Sequence, residues 1–102
     1  MRKYLTQALN SSNEKTVIDA LLYVCFNSED WEWVQNACLE LIDSENENIA
    51  GLSITCIGHI ARMHSKIDKE KVFPAFKRKI NDARYAGRIE DALGDIEMFV
   101  KK

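Results

Sequence analysis

Residues 47–64, which read ENIAGLSITCIGHIARMH, decide the fold class of this chain. Apolar side chains recur in this stretch at spacings of three and four residues, which is the period of an α-helix. They cover more than one face: Ile49, Leu52, Ile54, Cys56, Ile57, Ile60 and Ala61. A helix that is apolar on several faces is normally surrounded by other helices. We therefore predict that this helix is the centre of a helical domain.

Shorter amphipathic segments lie on both sides of this stretch. The apolar spacing predicts helices at about residues 12–27, 30–43, 47–64, 68–83 and 87–100, with a short helix around residues 4–9 before them. Ser11 and Glu14 have the spacing of a capping box. Ser28 or Asp30 and then Asp68 are suited to cap later helices. Pro74 fits the first turn of a helix, where its missing N–H costs little, so the fourth long helix is expected to begin at Asp68 or closer to Val72.

Composition supports a single all-α domain over residues 1–102. The chain has only 4 Gly and 1 Pro, which disfavours a turn-rich β fold, and its length fits one domain. Five to six helices with short loops predict antiparallel helical hairpins. A small–apolar–x–x–large pattern begins at Ala37, Cys56 and Ala92, with offsets of 19 and 36 residues. Repeats near this length predict a HEAT- or armadillo-like stack.

Charge and hydropathy exclude several classes of protein. The longest apolar run, residues 20–26, is far shorter than the ~20 residues of a membrane span. The N-terminus has no apolar signal segment, so we expect a cytoplasmic protein. The net charge of -2 divides into -5 over residues 1–65 and +3 over residues 66–102. A chain without a strongly basic domain is a poor general binder of nucleic acid, and its acidic half is suited to a basic protein partner.

The residues provide no catalytic or metal-binding set. His59 and His64 are five residues apart and do not share a helix face as an i,i+4 pair does. Cys56 and His59 face one another but are only two ligands, so we predict no metal. Cys25, Cys38 and Cys56 lie in apolar patterns and are expected to be buried reduced thiols. With no nucleophile–base pair and no phosphate loop, we predict no enzyme activity and no cofactor.

The best candidate for an interaction surface surrounds the predicted second long helix. Trp31 and Trp33 differ by about 200° around a helix, so one is expected to be buried and the other partly exposed. Large aromatic side chains supply binding energy and surrounding carboxylates steer a basic partner. The predicted partner-binding residues are Glu29, Asp30, Trp31, Glu32, Asp43, Glu45 and Glu47. The alternative is that these residues serve packing and solvation alone.

Polar residues elsewhere are expected to be structural. Arg62 is suited to pair with Glu90, Asp91 or Asp95 on the last helix, and His59 to hydrogen-bond to a neighbouring carboxylate or carbonyl group. The basic residues Lys77, Arg78, Lys79, Arg84 and Arg88 are expected to form a solvated helix face or to pair with the acidic half of the molecule.

Three strings of the chain resemble a known family: WVQNACLEL at 33–41, CIGHIARMH at 56–64 and GRIEDALGDI at 87–96. They are similar to small bacterial HEAT-like proteins, among which are immunity proteins of contact-dependent growth inhibition (CDI) systems. The resemblance covers about residues 15–100 and implies a protein that binds a cognate toxin domain, in many systems a nuclease, and blocks its active site. Partner-contacting residues are not carried over. The alternative is a general HEAT-like adaptor for another protein.

Overall fold

The computed structural model describes residues 2–101 and, from residue 3 onwards, their side chains; Met1 and Lys102, the ends of the predicted domain, lie outside it. The described residues form six α-helices and no strand, as predicted. These are α1 (Arg2–Leu9), α2 (Glu14–Asn27), α3 (Trp31–Leu41), α4 (Glu47–His64), α5 (Lys69–Lys79) and α6 (Ala86–Phe99). The chain measures 33 × 30 × 18 Å along its principal axes. No helix in this part of the chain is long and apolar enough to cross a membrane.

Helix α4 is the centre of the fold. It packs against α2, α3 and α6, and ten of its residues are buried, among them Ile54, Ile57 and Ile60. Short connections at residues 10–13, 42–46 and 80–85 fold the chain into three hairpins, α1–α2, α3–α4 and α5–α6.

Successive hairpins stack in the same orientation. Gly51 of α4 lies against Arg88 of α6, and Gly58 lies against Asp95. The second contact is seven residues farther along both helices, so α4 and α6 run in the same direction. Contacts between α2 and α4 also keep their order along the two helices, from Glu14–Asn46 to Cys25–Cys56. The even-numbered helices are therefore parallel neighbours, and they form an inner layer as in a HEAT-like stack.

The odd-numbered helices form the other layer, and one buried polar side chain joins two of them. Gln35 of α3 is fully buried, and its Oε1 accepts a hydrogen bond of 2.6 Å from the backbone N–H of Asp68 at the start of α5. Farther along, Asp43 pairs with Arg78. Hydrogen bonds between stacked hairpins thus recur at separations of 31–35 residues. Of the two predicted repeat offsets, 36 residues fits this stacking, whereas 19 residues relates the two helices of one hairpin.

The helix starts differ in detail from those predicted. Asn13, not Ser11, caps α2 by accepting a hydrogen bond from the Thr16 N–H, while the Ser11 hydroxyl accepts one from the N–H of Asn13. The same Ser-x-Asn/Asp arrangement precedes α3, where Asp30 is the cap, and α4, where Asn46 is the cap. The capping-box assignment was therefore wrong, because Asn13 directly precedes the first helical residue and its side-chain oxygen reaches the free N–H of Thr16, whereas Ser11 lies two residues farther out.

Helix α5 differs most from its prediction. It begins at Lys69 after the Asp68 cap, which makes Pro74 its sixth residue and not part of the first turn. Proline there removes the bond to the carbonyl group of Glu70. Both residues are exposed, so that carbonyl group is open to water. The helix ends at Lys79, four residues before the expected end, because Asp82 organises a turn by accepting from the N–H of Arg84.

Candidate functional site

The structure divides the predicted acidic surface into two groups. Glu29, Asp30, Trp31 and Glu32 lie at the start of α3, and Asp43, Glu45 and Glu47 lie beyond its end. An 11-residue helix is about 16 Å long. All six acidic residues are exposed, but the two groups stand at opposite ends of the stack.

The group at the start of α3 is partly structural. Asp30 caps the helix by accepting a hydrogen bond from the N–H of Trp33. Trp31 and Trp33 are both half-buried against the core, so the prediction of one partly exposed indole is confirmed, whereas the prediction that the other is buried was wrong. Trp33 lines a groove together with Thr6 and Leu9 of α1, because α1 lies beside α3 in the layer of odd-numbered helices.

Of the group after α3, Asp43 is held by intramolecular contacts. The Asp43 carboxylate lies 3.2 Å from Arg78 Nη2 and 3.6 Å from Lys79 Nζ. Nearby, Arg84 pairs with Asp82 at 2.8 Å and lowers the pKa of that carboxyl group to about 2. The predicted pairing of basic residues with the acidic half is therefore confirmed for Arg78 and Lys79. The positive charges of Arg78 and Lys79 are partly neutralised by Asp43, so these two residues do not form an unpaired basic patch.

A set of exposed apolar side chains on the inner layer was not predicted from the sequence. The penultimate residues of α2, α4 and α6 are Phe26, Met63 and Met98, and they are 53%, 49% and 64% exposed. We call these three residues the apolar end. The sequence carries a signal for Phe26, because it is a large apolar residue outside the face of α2 that packs inward.

Phe26 lies beside the polar residues of α4. Its ring centroid is 4.3 Å from that of His59, and the planes are tilted by 58°. His59 Nε2 is buried and has no hydrogen-bond partner among the described residues, so the predicted hydrogen bond of His59 was wrong for this atom. One turn on, Arg62 Nε lies 3.6 Å from Asp95 Oδ2 on α6, which confirms the predicted ion pair between these helices.

Three thiols meet in the core between α2, α3 and α4. Cys25, Cys38 and Cys56 are free and buried, as predicted. The hydrogen bond to Cys56, followed by burial, raises the pKa of the Cys25 thiol far above its usual range. Since the thiolate is the reactive form, Cys25 is held in its unreactive thiol form. Across residues 2–101, no three His, Cys, Asp or Glu side chains are grouped so as to hold a metal ion.

Comparison with known proteins connects this fold to one solved complex. The chain is similar to a chain in the crystal structure of a CDI complex from Cupriavidus taiwanensis LMG 19424, with a TM-score of 0.86 and 26% sequence identity. The match covers 99% of this chain and 91% of that one. No protein-family model and no curated protein sequence matches the chain. The resemblance to CDI immunity proteins that the sequence indicates is thus supported by similarity over the whole fold.

Proposed function

We propose that this chain is a CDI immunity protein that binds a cognate toxin domain and neutralises it. The observation that carries the proposal is the similarity over 99% of the chain to a component of a CDI complex. The toxin is proposed to be a basic nuclease, and the protein acts on it in the cytoplasm without contacting nucleic acid or membrane itself.

The proposed mechanism is occlusion without catalysis. A rigid helical stack covers the active site or substrate groove of the toxin, and exposed carboxylates such as Glu29 and Glu32 occupy positions where a nuclease would otherwise bind phosphate groups. The exposed acidic side chains support a role in binding a basic partner.

Co-expression with the toxin domain encoded immediately upstream tests this function. The tagged protein is expected to co-purify with that domain and to restore growth of cells that produce it. An immunity protein from an unrelated system serves as the control for rescue. Growth arrest that persists in the presence of the folded protein would contradict the immunity function, and a complex without rescue would favour a HEAT-like adaptor instead.

A further inference from the structure

The three residues of the apolar end belong to one surface. Parallel stacking places the C-terminal ends of α2, α4 and α6 side by side, and packed helices lie about 8–10 Å apart. Phe26 contacts His59, and Met63 follows His59 by one helical turn. On the other side, Met98 follows Asp95 by one turn, and Asp95 pairs with Arg62. The row therefore crosses the inner layer from α2 to α6.

The two ends of the stack differ in the partners of their polar groups. At the end that carries the hairpin connections, Asp43 pairs with Arg78 and Lys79, and Glu14 accepts hydrogen bonds from Asn46 and Asn48. At the apolar end, large side chains remain exposed in a row. The ring of His59 contacts that of Phe26, and its buried Nε2 has no partner among the described residues.

The charge beside Phe26 indicates the chemistry of a partner. The charged residues that follow it as far as Trp33 are all acidic: Glu29, Asp30 and Glu32. Glu29 and Glu32 are exposed, and no ion pair holds them within the part of the chain that the structure describes. Lys66 and Lys101 are also exposed at this end, after α4 and α6, whereas the Arg62 charge is paired with Asp95. An aromatic anchor with carboxylates on one side fits a protein surface that combines an apolar pocket with basic side chains.

We propose that the apolar end is the surface by which this protein binds its toxin domain, with Phe26 as the anchor in an apolar pocket of the toxin. Basic side chains of the toxin meet Glu29 and Glu32, and the unbranched side chains of Met63 and Met98 adapt to the remaining surface. This inference rests on the proposed function and assigns its surface. It retains only the first half of the acidic group predicted from the sequence, because Asp43 is already paired.

Substitution of the anchor tests the surface directly. Affinity is measured with the purified toxin domain encoded immediately upstream. Phe26→Ala is expected to weaken binding by about 30-fold or more, as loss of a central aromatic side chain does. The matched control is Phe73→Ala, which removes a ring that is 41% exposed but faces Leu93 in the groove between α5 and α6. This control is expected to change binding by less than about threefold.

Charge reversal tests the acidic flank. Glu29→Lys combined with Glu32→Lys is expected to slow association by about tenfold and to reduce its salt dependence, since steering charges act mainly on the association rate. Asp30 is left unchanged because it caps α3. Glu45→Lys, an exposed reversal at the opposite end of the stack, is the control and is expected to leave the rate nearly unchanged.

The outcomes separate the surface from the function. If the wild-type protein binds and protects while Phe26→Ala binds within threefold of it, the proposed surface is wrong and the immunity function stands. If the wild-type protein neither binds nor protects, the proposed function itself fails. Circular dichroism checks folding, and Met63→Ala, which leaves the Phe26–His59 contact in place, replaces Phe26→Ala if that variant unfolds.

Discussion

His59 is a titratable side chain whose surroundings disfavour its charged form. Loss of hydration, followed by the positive charge of Arg62 and the proximity of His64, lowers the pKa of its imidazole, while Asp95 opposes the shift. The ring is therefore neutral in the folded protein near pH 7. Its Nε2 is covered and makes no hydrogen bond with the described residues, so protonation there would place a charge where water is excluded.

This environment predicts acid-dependent stability. In the unfolded chain the pKa of His59 returns to about 6.5, so the unfolded state takes up a proton first as the pH falls. The free energy of unfolding is then expected to decrease below pH ~6.5 until the folded pKa is reached. Urea denaturation at pH 7.5 and 5.5 measures the change. His59→Leu is expected to reduce the decrease and His64→Gln to retain it; an unchanged decrease in His59→Leu would contradict this assignment.

Two contacts of single residues show why the partner of a side chain is harder to predict from sequence than the face of the helix on which it lies. The Arg62–Asp95 pair was predictable, because a cation on the central helix had carboxylates available on the last helix. The Phe26–His59 contact was not, because it depends on how α2 lies against α4. Amphipathic spacing identifies the inward face of each helix but carries no information on where two helices cross.

At the scale of helices, α4 and α6 approach closely because glycine lies between them. A β-carbon on Gly58 would stand 2.9 Å from Asp95 Oδ2 and 3.0 Å from the Ala92 Cα. The Ala92 contact is with backbone, and the Asp95 side chain is held by Arg62, so neither gives way easily. Gly94, in the interior of α6, has no atom within 4 Å of the equivalent position.

Two alanine substitutions are therefore expected to have opposite effects. Gly58→Ala is expected to destabilise the protein by about 1–3 kcal/mol, because overpacking outweighs the better helix propensity of alanine. Gly94→Ala is expected to stabilise it by about 0.5–1 kcal/mol through propensity alone. Thermal and urea unfolding of both variants measure the difference, and a stabilising Gly58→Ala would show that α4 and α6 separate at little cost.

Helix positions were more predictable than helix ends. Residues 47–64 were predicted with the bounds that α4 has, because a long apolar pattern and the polar segment before it agree. The end of α5 was not predicted, since residues 80–83 continue a pattern compatible with a helix. There, the hydrogen bonds and ion pair of Asp82 with Arg84 stabilise a turn instead.

At the scale of the molecule, the central helix α4 makes contacts that join the hairpins on both sides of it. Helix α4 packs on both neighbours in the inner layer, and Asp43 links the acidic first half to the basic second half through Arg78. Composition and periodicity predicted the all-α class and the stacked hairpins. They did not predict the exposed row at one end, because several short amphipathic helices can be stacked with different faces outward.

Central packing predicts cooperative unfolding. The fluorescence of Trp31 and Trp33 reports on α3, whereas circular dichroism reports on all six helices. Because α4 connects the hairpins on both sides, the two signals are expected to give the same midpoint in urea, within error. An earlier fluorescence midpoint would contradict a single cooperative unit, and Gly58→Ala, which weakens the α4–α6 contact, is the variant in which separation should appear first.

The regular separation of the contacts between hairpins also has a consequence for the rate of folding. Each hydrogen bond between stacked hairpins closes a segment of only 31–35 residues, about a third of the chain. The entropy lost on closing a loop rises slowly with its length, and every step of the stack costs about the same. Short, equal steps around a central helix favour folding on the millisecond scale or faster, typical of helical topologies. A newly made chain would then present its folded surfaces soon after synthesis.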